Sequence, residues 1–204
     1  MAKKLVNHFE LFALLPEHQL VICITPKAAS MSIIQALASH YGTAVKRPSH
    51  KYSVFRWYTL EQVQAVVPNW RRAMFVRHPL ERLCSVYDYH ITKHNLERSK
   101  NLRDRFNAGM SFTQFAGKVI ERPDWDSHFV PQSWMSDRAD FVGKFENMAT
   151  DWQRFKEWAG VDLPALPHVN SNPKSGGCSF NQLSGVQQKS LRSIYAGDIK
   201  NWYS

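Results

Sequence analysis

Residues 20–25 read Leu-Val-Ile-Cys-Ile-Thr, an unbroken apolar run of β-branched character that Pro26 stops. So short a run, with no polar alternation, predicts a strand buried on both faces. A strand of that kind needs a layer packed on each side of its sheet. Ile33, Ile34, Leu37 and Tyr41 follow at helical spacing from Ser30, and Gly42 closes that segment. The arrangement recurs. Ala73–Val76 is a second buried strand, Pro79 stands near the first helical position, and Leu80, Leu83, Cys84, Tyr87 and Ile91 form an apolar stripe. Asp140–Phe145 reads as a third strand, with a helix from Asn147 to Ala159 ended by Gly160. Strands alternating with helices predict an α/β fold with a mainly parallel sheet flanked by helices.

The remaining segments are less regular. Lys46–Tyr58 is basic and without a period. A capping box, Thr59-x-x-Gln62, begins a short helix that Pro68 ends, and Ser111-x-x-Gln114 begins another. Asn95–Asn107 reads as a charged surface excursion, Pro164–Gly177 as a loop, and Ser184–Tyr195 as a last helix. No repeat or linker interrupts the 204 residues, which predicts one domain over 1–204.

Lys and Arg number 26 against 17 Asp and Glu, a net charge of +9 that favours anionic partners. The three cysteines, Cys23, Cys84 and Cys178, lie far apart and without zinc spacing. They are expected to be unpaired, as in a reducing compartment. The N-terminal apolar stretch is broken by charge and proline, and no long apolar run occurs. The expectation is a soluble, cytoplasmic protein of bacterial or phage type.

Two strand-to-helix junctions carry candidate chemistry. Thr25–Ser32 (TPKAASMS) follows the first strand, at the strand end and helix N-terminus where parallel α/β sheets hold phosphates. Small residues there (Ala28, Ala29, Ser30) allow close backbone approach, Ser30 and Ser32 add hydroxyls, and Lys27 adds a cation. The order differs from a Walker A loop, where lysine follows the glycines. At the second junction (VRHPLERLCSVY) Arg77 ends the strand, where a guanidinium can fork onto phosphate. Ser85 lies in the helix, off its apolar stripe. Taken singly, these are equally an ordinary turn with a solvated lysine, an Arg77–Glu81 pair and a surface serine.

Taken together, the two segments resemble the sulfotransferases that use 3′-phosphoadenosine 5′-phosphosulfate (PAPS), most closely the carbohydrate branch with the heparan 2-O- and chondroitin enzymes. Two later segments agree. Ala139–Trp152 (ADFVGKFENMATDW) is similar to that family's DFIGKYENLEEDW, and Ser193–Tyr203 to its closing Y-x-x-D-aromatic-x-Y. The resemblance spans residues 20–203 and implies a P-loop-NTPase-like sulfotransferase fold. It implies that Pro26, Lys27, Ala28, Ala29, Ser30, Met31 and Ser32 surround the 5′-phosphosulfate. Arg77 and Ser85 would bind the 3′-phosphate, and Lys174 would fold over the nucleotide. PAPS would be the donor, PAP the product, and no metal would be required. Met31 departs from the family's usual Thr or Ser, and His78 from a frequent Asp.

Sulfuryl transfer is an in-line displacement that needs a base for the acceptor hydroxyl and a cation at the leaving oxygen. Lys27 suits the second task. For the first, His50 lies near where the heparan 2-O-type enzymes carry a catalytic histidine. His128 lies in an H-x-x-P-Q segment common in this branch, and Glu146 is a further candidate. Trp125, Phe129 and Trp134 around His128 are either sugar-stacking platforms or core. The acceptor is expected to be a hydroxyl compound, a carbohydrate for preference, and the basic charge is compatible with an acidic one; no nucleic acid partner and no stable membrane insertion of this chain are expected. Two other classes fit parts of the sequence: a P-loop kinase, which would need a Walker A loop and a metal-binding Asp, and a polyanion- or nucleotide-binding protein without turnover.

Overall fold

The computed structural model describes residues 10–42, 54–92, 95–96, 100–135, 139–167 and 178–204. Among them run, in chain order, β1 (Glu10–Leu15), β2 (Leu20–Cys23), α1 (Ser30–His40), β3 (Phe55–Tyr58), α2 (Leu60–Val66), β4 (Arg71–Val76) and α3 (Pro79–Tyr87). A π turn (Asp88–Thr92) extends α3. Then come α4 (Lys100–Arg103), α5 (Phe112–Glu121), α6 (Gln132–Met135), β5 (Phe141–Lys144), α7 (Met148–Ala159), α8 (Gly185–Ile194) and α9 (Ala196–Trp202).

The chain forms two compact units, Met1–Arg77 with Trp134–Ser171, and His78–Ser133 with Asn172–Ser204. The first holds a five-stranded sheet ordered β3-β1-β2-β4-β5. β2, β4 and β5 are parallel, with Cys23 opposite Met74 and Val76 opposite Lys144. β1 and β3 extend the sheet antiparallel. The parallel half follows the sequence expectation, and the antiparallel half adds to it. β3 corrects the end of the stretch read as irregular. β1 is a fully buried ELFALL run, joined to β2 by a tight turn at Pro16–His18 with Gln19 left-handed.

Alternate residues of the strands (Leu11, Ala13, Leu15; Leu20, Ile22, Ile24; Ala73, Phe75; Phe141) share one cluster with Ile33, Ile34 and Leu37 of α1 and Trp152 and Phe155 of α7. Their neighbours Phe12, Leu14, Val21, Cys23, Met74 and Val76 are buried too, which is why no alternation shows in the sequence. The DFVGKFENMATDW segment does structural work in this unit. Arg72 N donates to Asp140 Oδ2, and Lys144 N to Asp151 Oδ2. Gly143 has no room for a side chain, because a Cβ there would lie 2.5 Å from the Phe75 ring.

The second unit is helical, with its own core of Leu83, Val86, Ile91, Phe112, Phe115, Phe129, Leu191 and Tyr195 among others. Leu96, Leu102 and Phe106 are buried in it, so the segment read as a surface excursion contributes to the core. Cys84 and Cys178 form a disulfide here, while Cys23 is buried and takes no part in it. That pairing corrects the expectation of unpaired cysteines and removes its argument for a reducing compartment. No helix among the described residues is long and apolar enough to cross a membrane.

Candidate functional site

In the first unit, β2 delivers the chain to a four-residue turn at Pro26–Ala29, from which α1 starts at Ser30. Two residues of this turn, Lys27 (φ 67°) and Ala29 (φ 61°), are left-handed without being glycine. For residues with a Cβ this conformation costs roughly 1–2 kcal/mol each, and such strain concentrates where a ligand is gripped. Ala28 is fully buried and anchors the turn, with its N–H donating to Thr25 O at 3.3 Å. The N-cap, Ala29, has no side chain to cap α1, and the first turn holds no acidic residue. Thr25 Oγ1 is buried and has no hydrogen-bond partner among the described residues. Met31 packs against the apolar cluster and Ser32 is buried.

β4 runs parallel beside β2 and ends at Val76, so Arg77 comes out beside the turn. Its Nη1 donates to Lys27 O at 3.4 Å, and its guanidinium lies 4.4 Å over the Phe145 ring just after β5. The carboxyl ends of three parallel strands thus carry Lys27, Arg77 and the Phe145–Glu146 step, with Glu146 exposed. The two sequence motifs, far apart in the chain, meet through Arg77 and Lys27. The arrangement suits an anion: two cations, a turn open to close backbone approach, and no carboxylate among residues 25–32.

In the second unit, Ser85 is half-buried on α3, next to Cys84 of the disulfide. His128 Nδ1 lies 2.6 Å from Asp126 Oδ1, and its side chain is 24% exposed against 8% for Asp126. The His90 ring meets the His128 ring edge-on, 5.0 Å between centroids. The segment after His128 is held from two directions. Buried Arg82 donates to Ser127 O and Val130 O. From the C-terminal helices, Tyr195 Oη donates to Phe129 O at 2.8 Å. Asp198 accepts from Gln132 N at 2.9 Å, Gln132 Nε2 at 3.2 Å and Ser133 N at 2.8 Å. Burial pushes the Tyr195 phenol far above its ordinary range, opposed by Arg82 and reinforced by Asp198. It therefore stays a neutral donor.

Phe129 is core, whereas Trp125 lies half-buried under the Arg105 guanidinium and Trp134 is exposed. His50 and Lys174 lie outside the described residues. Sequence reasoning missed Arg82, Asp126 and Asp198. The signal for Arg82 was available, since an arginine on the buried face of a helix requires acceptors. The Y-x-x-D spacing of Tyr195 and Asp198 likewise has a physical content: one helical turn aims both at the same segment.

No curated protein sequence matches this chain significantly. Among solved structures it is similar to a sulfotransferase from Alicyclobacillus acidocaldarius at 17% identity and a TM-score of 0.41. That match covers 70% of this chain and 56% of the other, so the chain spans little more than half of that enzyme's length. Over residues 11–203 the sequence matches the profile of the sulfotransferase family, and the protein belongs to that family.

Proposed function

We propose that the protein transfers the sulfuryl group of PAPS to a hydroxyl of a carbohydrate acceptor, of the kind used by heparan 2-O- and chondroitin enzymes, and releases PAP. The observation that carries this reading is the contact between the two phosphate motifs, Arg77 donating to the carbonyl of left-handed Lys27. In this reading the Pro26–Ser32 turn wraps the 5′-phosphosulfate with backbone N–H groups and the Ser30 and Ser32 hydroxyls. Lys27 stabilises the charge that grows on the bridging oxygen as the bond to sulfur breaks. Arg77 and Ser85 hold the 3′-phosphate, the group that distinguishes PAPS from other adenine nucleotides, and Lys174 covers the nucleotide. A histidine, His50 or His128, accepts the acceptor's proton. The charge is met by Lys27 and Arg77, and no metal is required. The family membership supports sulfuryl transfer in general.

The test is calorimetric titration with PAP in the absence of magnesium, alongside 5′-AMP, magnesium-ATP and the Arg77→Ala variant. Micromolar PAP binding, about 8 kcal/mol, is expected to weaken by at least about tenfold for AMP and for the variant. Binding of magnesium-ATP in preference to PAP would overturn the reading in favour of a kinase. Salt-sensitive glycan binding without turnover would favour a polyanion-binding protein.

A further inference from the structure

We propose that Asp126 is a positioning residue that fixes His128 as the base for the acceptor hydroxyl; this rests on the sulfuryl-transfer reading above. Asp126 Oδ1 holds His128 twice, accepting from the backbone N–H at 3.0 Å and meeting ring Nδ1 at 2.6 Å. A carboxylate only accepts, so the proton of this contact sits on Nδ1. The ring is thereby locked in the Nδ1–H tautomer, and Nε2 is left as a lone-pair acceptor. Nε2 takes no hydrogen bond from any described residue. The His90 ring meets the His128 ring edge-on, 5.0 Å between centroids. The segment that follows is anchored by three buried polar side chains: Arg82 on Ser127 O and Val130 O, Tyr195 on Phe129 O, and Asp198 on Gln132 and Ser133. A base must be held still while its ring stays reachable; His128 is held at Nδ1 and its side chain is 24% exposed. Asp126 itself is buried, and its Oδ1 is engaged by His128.

The step balances as follows. The acceptor oxygen forms a bond to sulfur while its proton passes to His128 Nε2. The sulfur–oxygen bond to the phosphate of PAPS breaks, and its electron pair leaves on PAP. The imidazolium that results is stabilised by the Asp126 carboxylate at Nδ1.

Two readouts test this. In protein labelled with nitrogen isotope at histidine, long-range proton–nitrogen correlation reports the tautomer of each ring, and His128→Gln assigns the signal. Wild type is expected to show Nδ1–H at His128. Asp126→Ala should convert it to Nε2–H, and Asp126→Asn, whose amide oxygen still accepts, should keep it. An Nε2–H tautomer in wild type overturns the proposal. The second readout is transfer from radiolabelled PAPS to unsulfated heparosan and chondroitin. His128→Ala should lower kcat by about 10²–10⁴-fold with KM for PAPS nearly unchanged. Asp126→Ala should lower kcat by at least about tenfold in wild type and add nothing to His128→Ala. Asp126→Asn should recover part of that loss. Equal losses in both backgrounds, or full turnover by His128→Ala, overturn the base assignment while leaving sulfuryl transfer standing. A wild type that binds no PAP and transfers nothing overturns the sulfuryl-transfer reading, and this proposal with it.

Discussion

Asp198 is a fully buried carboxylate outside the candidate phosphate segments, and its removal has a calculable cost. Its carboxylate is fully buried and accepts from Gln132 N, Ser133 N and Gln132 Nε2. In Asp198→Ala the two backbone N–H groups, on residues buried in the wild type, lose their acceptor. Each orphaned donor costs about 1–3 kcal/mol, so the loss is about 2–6 kcal/mol before the amide of Gln132 is counted. For a chain of this size 1 kcal/mol moves Tm by roughly 2–4 °C, which places the drop at about 4–24 °C. Asp198→Asn keeps the shape and one acceptor oxygen but turns an NH₂ toward a backbone N–H, and should fall between wild type and Ala. Thermal unfolding followed by circular dichroism measures all three. A drop below about 2 °C for Asp198→Ala would refute the reasoning, since the N–H groups would then have found other partners. An order of variants in which Asn is worse than Ala would refute the acceptor count.

Two further outcomes are expected. The Cys84–Cys178 disulfide joins residues 94 apart in sequence, and its reduction should cost about 2–4 kcal/mol. Thiol titration of the denatured, unreduced protein should find one thiol, Cys23, and a count of three would exclude the bridge. The pH dependence follows from Tyr195, whose phenol burial pushes far up, opposed by Arg82 and reinforced by Asp198. The stabilisation is fully present below the unfolded phenol's value of about 10. It is lost as pH rises further, because the unfolded chain ionises first, at up to about 1.4 kcal/mol per pH unit for each such group. Tyr41 is shifted the same way by burial and by its hydrogen bond to Glu17, but it is partly exposed and solvent screening makes its share of the loss small. Tyr195→Phe should therefore shallow the alkaline limb of stability without removing it, and an unchanged limb would show that Tyr195 titrates normally.

The parts of this protein legible in its sequence are those written in consecutive residues. Leu20–Cys23 and Ala73–Val76 announce buried strands because a run apolar on every residue has no solvated face. The capping boxes at Thr59 and Ser111 mark helix starts, both present as read, because the bonds that make them span only three residues. The candidate phosphate segments were visible through residue type and order around Pro26 and Arg77. Tertiary structure decided the rest. ELFALL is apolar enough for a helix or a strand, and only pairing with β2 makes it β1. The left-handed backbone at Lys27 and Ala29 is not encoded by glycine and becomes definite only where β2 and α1 are both fixed. Arg82, Tyr195 and Asp198 acquire their roles from partners up to 66 residues away in sequence. A hydrogen bond fixes a distance in space, and the spacing of residues along a chain carries no record of it.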